Sequence, residues 1–397
     1  MKKKTYILLI VLSTAVSYVS AQSTSTITLG DGAGQGSTST HSIFIGEYAG
    51  YLKGGFSNTF VGRHAGYTNG TPGYGQHGFG HAVAENSTSF YLHAFGYSAG
   101  KESTGDHLHA FGNQAGAYSD GSYNLFVGDK TGYGVDGSSN VFMGSGAVAL
   151  FNTNKSIHES VIIGRNAAYY QTEGYNNTYI GDKVASNGEA FGYNNVYIGY
   201  RSAIESDMGE RNTFVGSCTG ENAVTSDENT YLGFEAGNQN DGSGNVFIGN
   251  RAGYLESSCN NKLYIDNTAT SAPLIYGEFD ARKLYINGDF YTVGNIQAKE
   301  VKVTIDASDW ADYVFEEDYN LRDLKEVETY IKTNKHLPDI PSADKMAEEG
   351  IKLAEMNKLL LQKIEELTLY AIEQKTEVKT LEQRLAILEA LLLNNAK

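Results

Sequence analysis

The sequence predicts a mainly β fold: a parallel β-roll or β-solenoid of about 13 repeats, then a β neck, a small α/β module and a C-terminal α-helical coiled coil. Three observations predict it. A glycine-centred unit recurs at nearly constant spacing, strand-forming residues precede each of those glycines, and apolar residues follow a heptad near the C-terminus. Fixed periods of this length are typical of solenoids, in which each unit packs against its neighbours.

The repeated unit reads Asn-x-aromatic-aliphatic-Gly-x-x-small-Gly and runs over residues 41–254, as in Asn58–Gly62. Its first glycine, here called the central glycine, recurs mostly every 16 to 18 residues, with one interval of 20. This period is too short for two helices, and Val, Ile, Thr, Phe and Tyr favour strands. Each unit is expected to hold one or two short strands with tight turns. The central glycines are Gly46, Gly62, Gly80, Gly96, Gly112, Gly128, Gly144, Gly164, Gly181, Gly199, Gly216, Gly233 and Gly249.

Alternation along a strand divides the side chains of each repeat between two faces. We expect the residues one and three before the central glycine, such as Val61 and Thr59, to fill the interior, and the aromatic residue two before it to point outward. Monomers rarely expose an apolar stripe of this length, so the stripe is predicted to pack against sister chains. It comprises Phe44, Phe60, Phe126, Phe142, Tyr179, Tyr197, Phe214, Tyr231 and Phe247.

The Asn-x-x-aliphatic-Gly core, followed by a small residue, resembles the head repeat of trimeric autotransporter adhesins over roughly half of the chain. The resemblance implies a parallel β-roll in which three chains pack side by side, and therefore a homotrimer. This chain departs from the family in its longer period and in the aromatic residue two before the central glycine.

Residues 255–300 interrupt the period and are predicted to form a β neck. Two similar segments, Lys262–Asp266 and Lys283–Asn287, share a Leu-Tyr-Ile core that is typical of a strand. Together with Pro273–Gly277, they resemble segments found near the C-termini of bacterial and phage tail-fibre-like proteins.

Residues 301–350 are predicted to form a small α/β connector, because glycine nearly disappears and charge rises there. Asn320 can cap a helix that runs to about Lys332, and Ser342 can cap a short turn that Gly350 ends.

A heptad pattern begins at Leu353 and fills the predicted coiled-coil stalk, residues 351–397. Most a and d positions are apolar over more than five heptads, which indicates a coiled coil. Polar residues at such positions, here Asn357 and Gln374, fix register and oligomer number. The heptads leave dimer and trimer open, and the trimer is implied by the adhesin resemblance. The predicted trimer core is Leu353, Asn357, Leu360, Ile364, Leu367, Gln374, Val378, Leu381, Leu385 and Leu388, and the remaining a positions are Ala371 and Leu392.

Residues 301–393 also resemble the C-terminal module of tail-fibre-like proteins, a module that nucleates trimer assembly and in some members cleaves itself. The self-cleaving type carries a Ser with an Arg and a Lys a few residues on. Ser308-Asp309 is followed by Trp310 and has no Arg or Lys at that spacing, so no autoproteolysis is predicted.

Residues 1–21 are predicted to be a secretory signal peptide, and residues 22–40 a flexible N-terminal segment. Three lysines precede an apolar run, Tyr6–Val16, and small residues end at Ala21. This order is that of a cleaved export signal. The expected location is outside the cell or on its surface, with the periplasm left open.

Charge and motif content exclude several function classes. The formal net charge of −16 argues against nucleic-acid partners, which bind Lys and Arg clusters. Carboxylates such as Asp129 and Asp182 fall at no repeated register, so the carboxylate pair of a polysaccharide hydrolase is not expected. No phosphate-binding glycine loop opens a helix. We predict no enzyme activity and no cofactor.

Two groups of side chains are candidates for binding. His77, His93 and His109 lie one period apart and are expected to stack on adjacent turns, either as a metal or anion site or as a ladder of stacked rings that acid would destabilise. Aromatic residues on a flat face can stack on sugars or grip a protein surface, or support one another as a ladder. Such residues follow the second glycine or its small replacement in several repeats: Tyr51, Tyr67, Tyr133, Tyr169 and Tyr254.

These features predict a secreted or cell-surface trimeric fibre that mediates adhesion by multivalent binding to a host or environmental glycan or protein surface. One alternative is a tail-fibre-like scaffold with a C-terminal trimerisation module. A more distant alternative is a polysaccharide-active β-solenoid enzyme.

Overall fold

The structure is a computed structural model that describes residues 20–22, 26–70, 72–149, 155–188, 191–206, 209–304 and 310–395. The chain divides into two compact units, Met1–Tyr291 and Thr292–Lys397. Residues 1–19 of the predicted signal peptide lie outside the described residues. The Ser308-Asp309 pair also lies outside them.

The first unit is a parallel β-solenoid of about 13 turns, as predicted. Each turn contributes one short strand that pairs in register with the next, so that Phe214 lies opposite Tyr231. Three further strands, β10, β12 and β14, form a second small sheet. The strands are β1 (Ser20–Gln22), β2 (Thr26–Leu29), β3 (Ile43–Ile45), β4 (Thr59–Val61), β5 (His77–Phe79), β6 (His93–Phe95), β7 (His109–Phe111), β8 (Leu125–Val127), β9 (Val141–Met143), β10 (Ser156–His158), β11 (Val161–Ile163), β12 (Glu173–Tyr175), β13 (Thr178–Ile180), β14 (Phe191–Tyr193), β15 (Val196–Ile198), β16 (Thr213–Val215), β17 (Thr230–Leu232), β18 (Val246–Ile248), β19 (Lys262–Ile265), β20 (Ile275–Glu278) and β21 (Lys283–Ile286).

Antiparallel strands flank the parallel stack at both ends. β1 pairs antiparallel with β2. At the other end β19 continues the parallel stack, and β20 and β21 then add antiparallel strands. The two predicted neck segments are β19 and β21, with β20 between them.

The central glycines are required because successive turns touch backbone to backbone there. Gly216 has a φ of +146°, and a Cβ at that position would lie 2.2 Å from the carbonyl oxygen of Gly233. Gly220, four residues on, has a φ of +55°, and its Cβ would lie 2.4 Å from the Phe214 ring. A side chain at either position would collide with the next turn or with the core.

The aromatic residue two before the central glycine lies inside the solenoid, so the sequence-based assignment of faces is wrong. The Phe214 ring stacks between Tyr197 and Tyr231 at centroid distances of 4.9 and 4.6 Å. One large ring per turn fills the thin coil, and β-branched and aliphatic side chains suit the pleated outer face. The predicted outer stripe is therefore a core column in which each residue is at most 2% exposed: Phe44, Phe60, Phe126, Phe142, Tyr179, Tyr197, Phe214, Tyr231 and Phe247.

The asparagine four before the central glycine also lies inside and links neighbouring turns. The Asn195 side chain donates from Nδ2 to the Gly209 carbonyl at 2.7 Å, and its Oδ1 accepts from the Asn212 backbone N–H at 2.9 Å. This geometry satisfies buried backbone groups that would otherwise cost free energy. The same acceptor bond recurs at Asn58, Asn124, Asn140, Asn177, Asn212, Asn229 and Asn245.

The second unit contains a 3₁₀ helix (Ala311–Phe315), α1 (Leu324–Asn334), α2 (Ala343–Glu349) and α3 (Leu353–Asn395). Among the residues described, no helix is both long and apolar enough to cross a membrane.

The helix ends of the second unit follow the sequence signals in part. Asp323, not the predicted Asn320, caps α1, because the Asp323 side chain accepts from the Lys325 N–H. The predicted cap of α2 is confirmed, since the Ser342 side chain accepts from the Lys345 N–H and the helix ends at Gly350.

Candidate interaction surfaces

Two columns of side chains run along the outer face of the main sheet, one residue and three residues before each central glycine. Both are partly exposed, as with Leu232 at 48% and Ile43 at 36%. The column three residues before the glycine mixes aliphatic residues with threonines and histidines, whereas the column one residue before it is apolar throughout. We call this second column the outer apolar face. The column one residue before the glycine is Leu29, Ile45, Val61, Phe79, Phe95, Phe111, Val127, Met143, Ile163, Ile180, Ile198, Val215, Leu232 and Ile248, and Ile265 of β19, which precedes Asp266, continues it.

In three consecutive turns the aromatic ring moves from the core to this outer face. Gly78, Ala94 and Ala110 occupy the core position. Phe79, Phe95 and Phe111 stand outside, 37 to 40% exposed. The core is refilled by two buried leucines that replace the ladder asparagine, Leu92 and Leu108. In these three turns the aromatic ring therefore lies on the surface, whereas in most other turns an aromatic ring fills the core.

The predicted histidine stack lies beside these rings as a column of adjacent imidazoles, whose planes are inclined by 55° and 77° rather than parallel. The His77 and His93 rings lie 5.2 Å apart, and the His93 and His109 rings 4.8 Å apart. Burial, and then the neighbouring imidazole, hold the pKa of His93 and of His109 below the usual range. Within the described part of the chain, no group of three or more His, Cys, Asp or Glu side chains is placed to hold a metal ion. The metal hypothesis therefore gains no support from the geometry.

A second ladder of rings runs along the turns that precede the strands. Tyr91, His107 and Tyr123 lie five residues before successive central glycines, and their ring centroids are 4.8 and 4.6 Å apart. Phe90 stacks on Tyr74 at 5.1 Å in the adjoining column. We call Phe90, Tyr91, His107 and Tyr123 the aromatic corner. No sequence pattern had singled it out, because its members alternate between His and Tyr.

The five tyrosines predicted to follow the second corner are half-buried and contact neighbouring side chains. Tyr51 and Tyr67 stack at 4.9 Å with planes 6° apart. Tyr133 and Tyr169 contact Tyr118 and Tyr170. Tyr254 lies under the Arg251 guanidinium at 5.4 Å. These contacts match the ladder interpretation, in which the rings support one another.

Two lysines lie inside the solenoid, which sequence reasoning missed. Lys53 and Lys155 are both fully buried. The Lys53 ammonium donates to the Ser87 carbonyl at 3.1 Å, and Lys155 to the Val148 carbonyl at 2.8 Å. Burial lowers the pKa of each lysine to about 7. The two cysteines, Cys218 and Cys259, are free half-buried thiols.

In the C-terminal unit, the connector packs on one side of α3. Tyr313 donates to Gln362 at 3.1 Å, and Tyr319 to Glu366 at 2.6 Å. Lys363 forms an ion pair with Asp339 at 2.9 Å. The a and d residues Leu360, Ile364 and Leu367 line a groove together with the connector residues Leu324, Val327 and Leu337.

The a and d positions are exposed, and we call this row the helix seam. Its large apolar members are 49 to 70% exposed: Leu353, Leu360, Ile364, Leu367, Val378, Leu381, Leu385, Leu388 and Leu392. The polar positions Asn357 and Gln374 are exposed as well.

No protein-family model, no curated protein and no solved structure matches this chain. The resemblances noted from the repeat and the C-terminal module therefore rest on their motifs alone.

Proposed function

We propose that this chain is a secreted or cell-surface homotrimeric fibre protein that mediates adhesion by multivalent binding. The observation that carries the proposal is the helix seam, which leaves large apolar side chains exposed along almost the whole of α3. Water-exposed rows of this kind mark an interaction surface.

The seam fits further copies of this chain better than any unrelated partner. Its apolar residues recur every 3.5 residues on average, which is the spacing that lets helices wrap around one another with side chains interlocked. The connector contacts α3 through Gln362 and Glu366 and lines a groove with the seam residues Leu360, Ile364 and Leu367, which nevertheless stay 49 to 66% exposed. Asn357 and Gln374 would pair with their counterparts and set the register.

The outer apolar face of the solenoid supports the same assembly. It offers aliphatic and aromatic side chains over about 13 turns. With strands ~4.8 Å apart, this face extends about 60 Å. A face of this length exceeds the patches that monomers normally expose. It takes over the role that the sequence had assigned to the buried aromatic column.

Adhesion follows from several weak contacts acting together. Copies joined through the seam present the same surface several times, so a second contact forms at high effective concentration. The predicted signal peptide supports export from the cell, where the chain can contact an external surface. The net charge of −16 favours solubility of the assembly.

Breaking the seam tests the proposal. Leu381→Glu with Leu385→Glu places two carboxylates at core positions of the seam. The full chain should then no longer assemble, and the amount of chain retained on a glycan- or protein-coated surface should fall at least ten-fold. Thr376→Glu with Gln383→Glu adds the same charge on the opposite side of α3 and should leave both unchanged.

Other outcomes separate the alternatives. Assembly without retention on any coated surface would favour the tail-fibre-like scaffold. Release of sugars from a polysaccharide would favour the enzyme. Equal retention of the seam variant and its control would contradict adhesion through avidity.

A further inference from the structure

We infer that the aromatic corner, together with Asp106, is a binding site for neutral carbohydrate. The inference rests on the proposed adhesive function and assigns it a ligand class and a set of residues. Tyr91 and Tyr123 are 56% and 64% exposed, although their rings belong to a ladder.

The backbone at this corner is in the left-handed region in successive turns. Tyr91, His107 and Tyr123 have φ values of +56°, +55° and +63°, a conformation that is unfavourable for bulky L-residues. Other turns have a positive φ at this position as well, where they carry Ser57, Ser139, Asn176 and Asn194 but also the larger His41, Glu159, Arg211 and Glu228. The turn therefore does not itself require an aromatic residue at this position.

The ladder ends in small residues on both sides. The same corner position carries Gly75 before Tyr91 and Ser139 after Tyr123. No ring of this column therefore covers the outer side of either tyrosine in the turns described. An aromatic face with a hydroxyl at its rim accepts the C–H face of a sugar ring and bonds to its hydroxyls.

Polar groups stand beside the rings. Asp106 is half-buried, and its Oδ1 accepts from the Phe90 backbone N–H at 2.9 Å, which holds the carboxylate beside the preceding turn. A few oriented polar groups among aromatic side chains are what sugar hydroxyls require.

Charge selects the class of ligand. Asp106 and the net charge of −16 repel sulfated and sialylated glycans. They also repel single-stranded nucleic acid, which needs a basic groove around its stacking rings. Neutral glycans meet no such penalty.

The test compares the full chain with Tyr91→Asn and Tyr123→Ser combined, on immobilised neutral, sialylated and sulfated oligosaccharides. The substitutions place at the corner the residue types that other turns carry, so the melting temperature should stay equal or rise. Binding to neutral glycans should weaken at least ten-fold. Asp106→Ser, which matches Ser122 and Ser138 in the same column, should weaken binding with the ladder intact. Tyr175→Ser removes a ring of similar exposure elsewhere and is the control.

Wild-type chain that binds no neutral glycan, or binds sialylated or sulfated glycans more tightly, overturns the inference. Unchanged binding of neutral glycans by the Tyr91→Asn, Tyr123→Ser variant and by Asp106→Ser overturns the inference as well. Retention of the wild-type chain on protein-coated surfaces would then leave the proposed adhesion standing while the carbohydrate site fails.

Discussion

The side-chain oxygen of Asn195 accepts a hydrogen bond from the backbone N–H of Asn212 at 2.9 Å. Both residues are about 1% exposed, so the bond joins two turns inside the coil. The same bond recurs wherever an asparagine lies four residues before the central glycine, so the asparagine ladder links neighbouring turns in addition to the strands, except where residues such as Leu92 and Leu108 replace the asparagine.

Asn195→Ala should lower the free energy of unfolding by about 1–3 kcal/mol, because it leaves the Asn212 N–H and the Gly209 carbonyl buried without that partner. Asn187→Ala, at an exposed amide that bonds to Glu205, should cost less than about 0.5 kcal/mol. Urea denaturation followed by circular dichroism measures both. An equal loss of unfolding free energy in both variants would show that the asparagine ladder does not stabilise the solenoid.

Phe214→Ala should destabilise the solenoid by about 3–5 kcal/mol, since it opens a cavity between two stacked rings. Phe234→Ala, in the next turn and 45% exposed, should cost no more than about 1 kcal/mol. Thermal melts distinguish them. If Phe234→Ala destabilised the solenoid more than Phe214→Ala, the aromatic residue two before the central glycine would have to point outward after all.

Lys53→Met should raise the melting temperature at pH 7 by several degrees, because a buried cationic group is replaced by an apolar one of similar length. The gain should shrink as the pH rises towards 9. The folded pKa of Lys53 is about 7 and the unfolded one near 10.4, so the wild-type chain gains stability over that interval. The exposed Lys379→Met is the control. A gain that grows with pH would contradict the burial of Lys53 as a neutral amine.

The histidine stack should make the solenoid acid-sensitive. The folded pKa of His93 and His109 lies below the unfolded value of about 6.5, so the unfolded chain binds more protons and stability is lost as the pH falls through that value. The melting temperature should be lower at pH 5 than at pH 7.5, and His93→Gln with His109→Gln should reduce the difference. Equal melting temperatures of the wild-type chain at both pH values would refute this.

Much of the fold is readable from the sequence because it is encoded locally and repeatedly. The glycine period gives the turns, residues such as Thr213–Val215 give the strands, and the heptad after Leu353 gives the long helix. Ser342 and Gly350 mark the ends of α2 as expected.

The inside of the coil was not readable in the same way. Alternation shows that Phe214 and Asn212 share a face, but not which face is buried. That depends on the width of the coil, which only the closed turn defines. Once the aromatic ring is inside, the asparagine beside it must be inside too, and its hydrogen bonds between turns follow.

The candidate sites depend on exceptions to the repeat rather than on the repeat. Lys53 enters the core at a position where other turns place neutral residues, and Tyr91 occupies a corner where a serine or asparagine would suffice. Such positions become visible when backbone angle and burial are known for every turn.

The most direct test of assembly through the helix seam is the solution mass of residues 22–397 by light scattering, beside the Leu381→Glu, Leu385→Glu variant and its Thr376→Glu, Gln383→Glu control. Assembly through the seam predicts the mass of three chains for the wild type and the control, and a smaller assembly for the seam variant. A wild-type chain with the mass of one chain would contradict trimer formation through the seam.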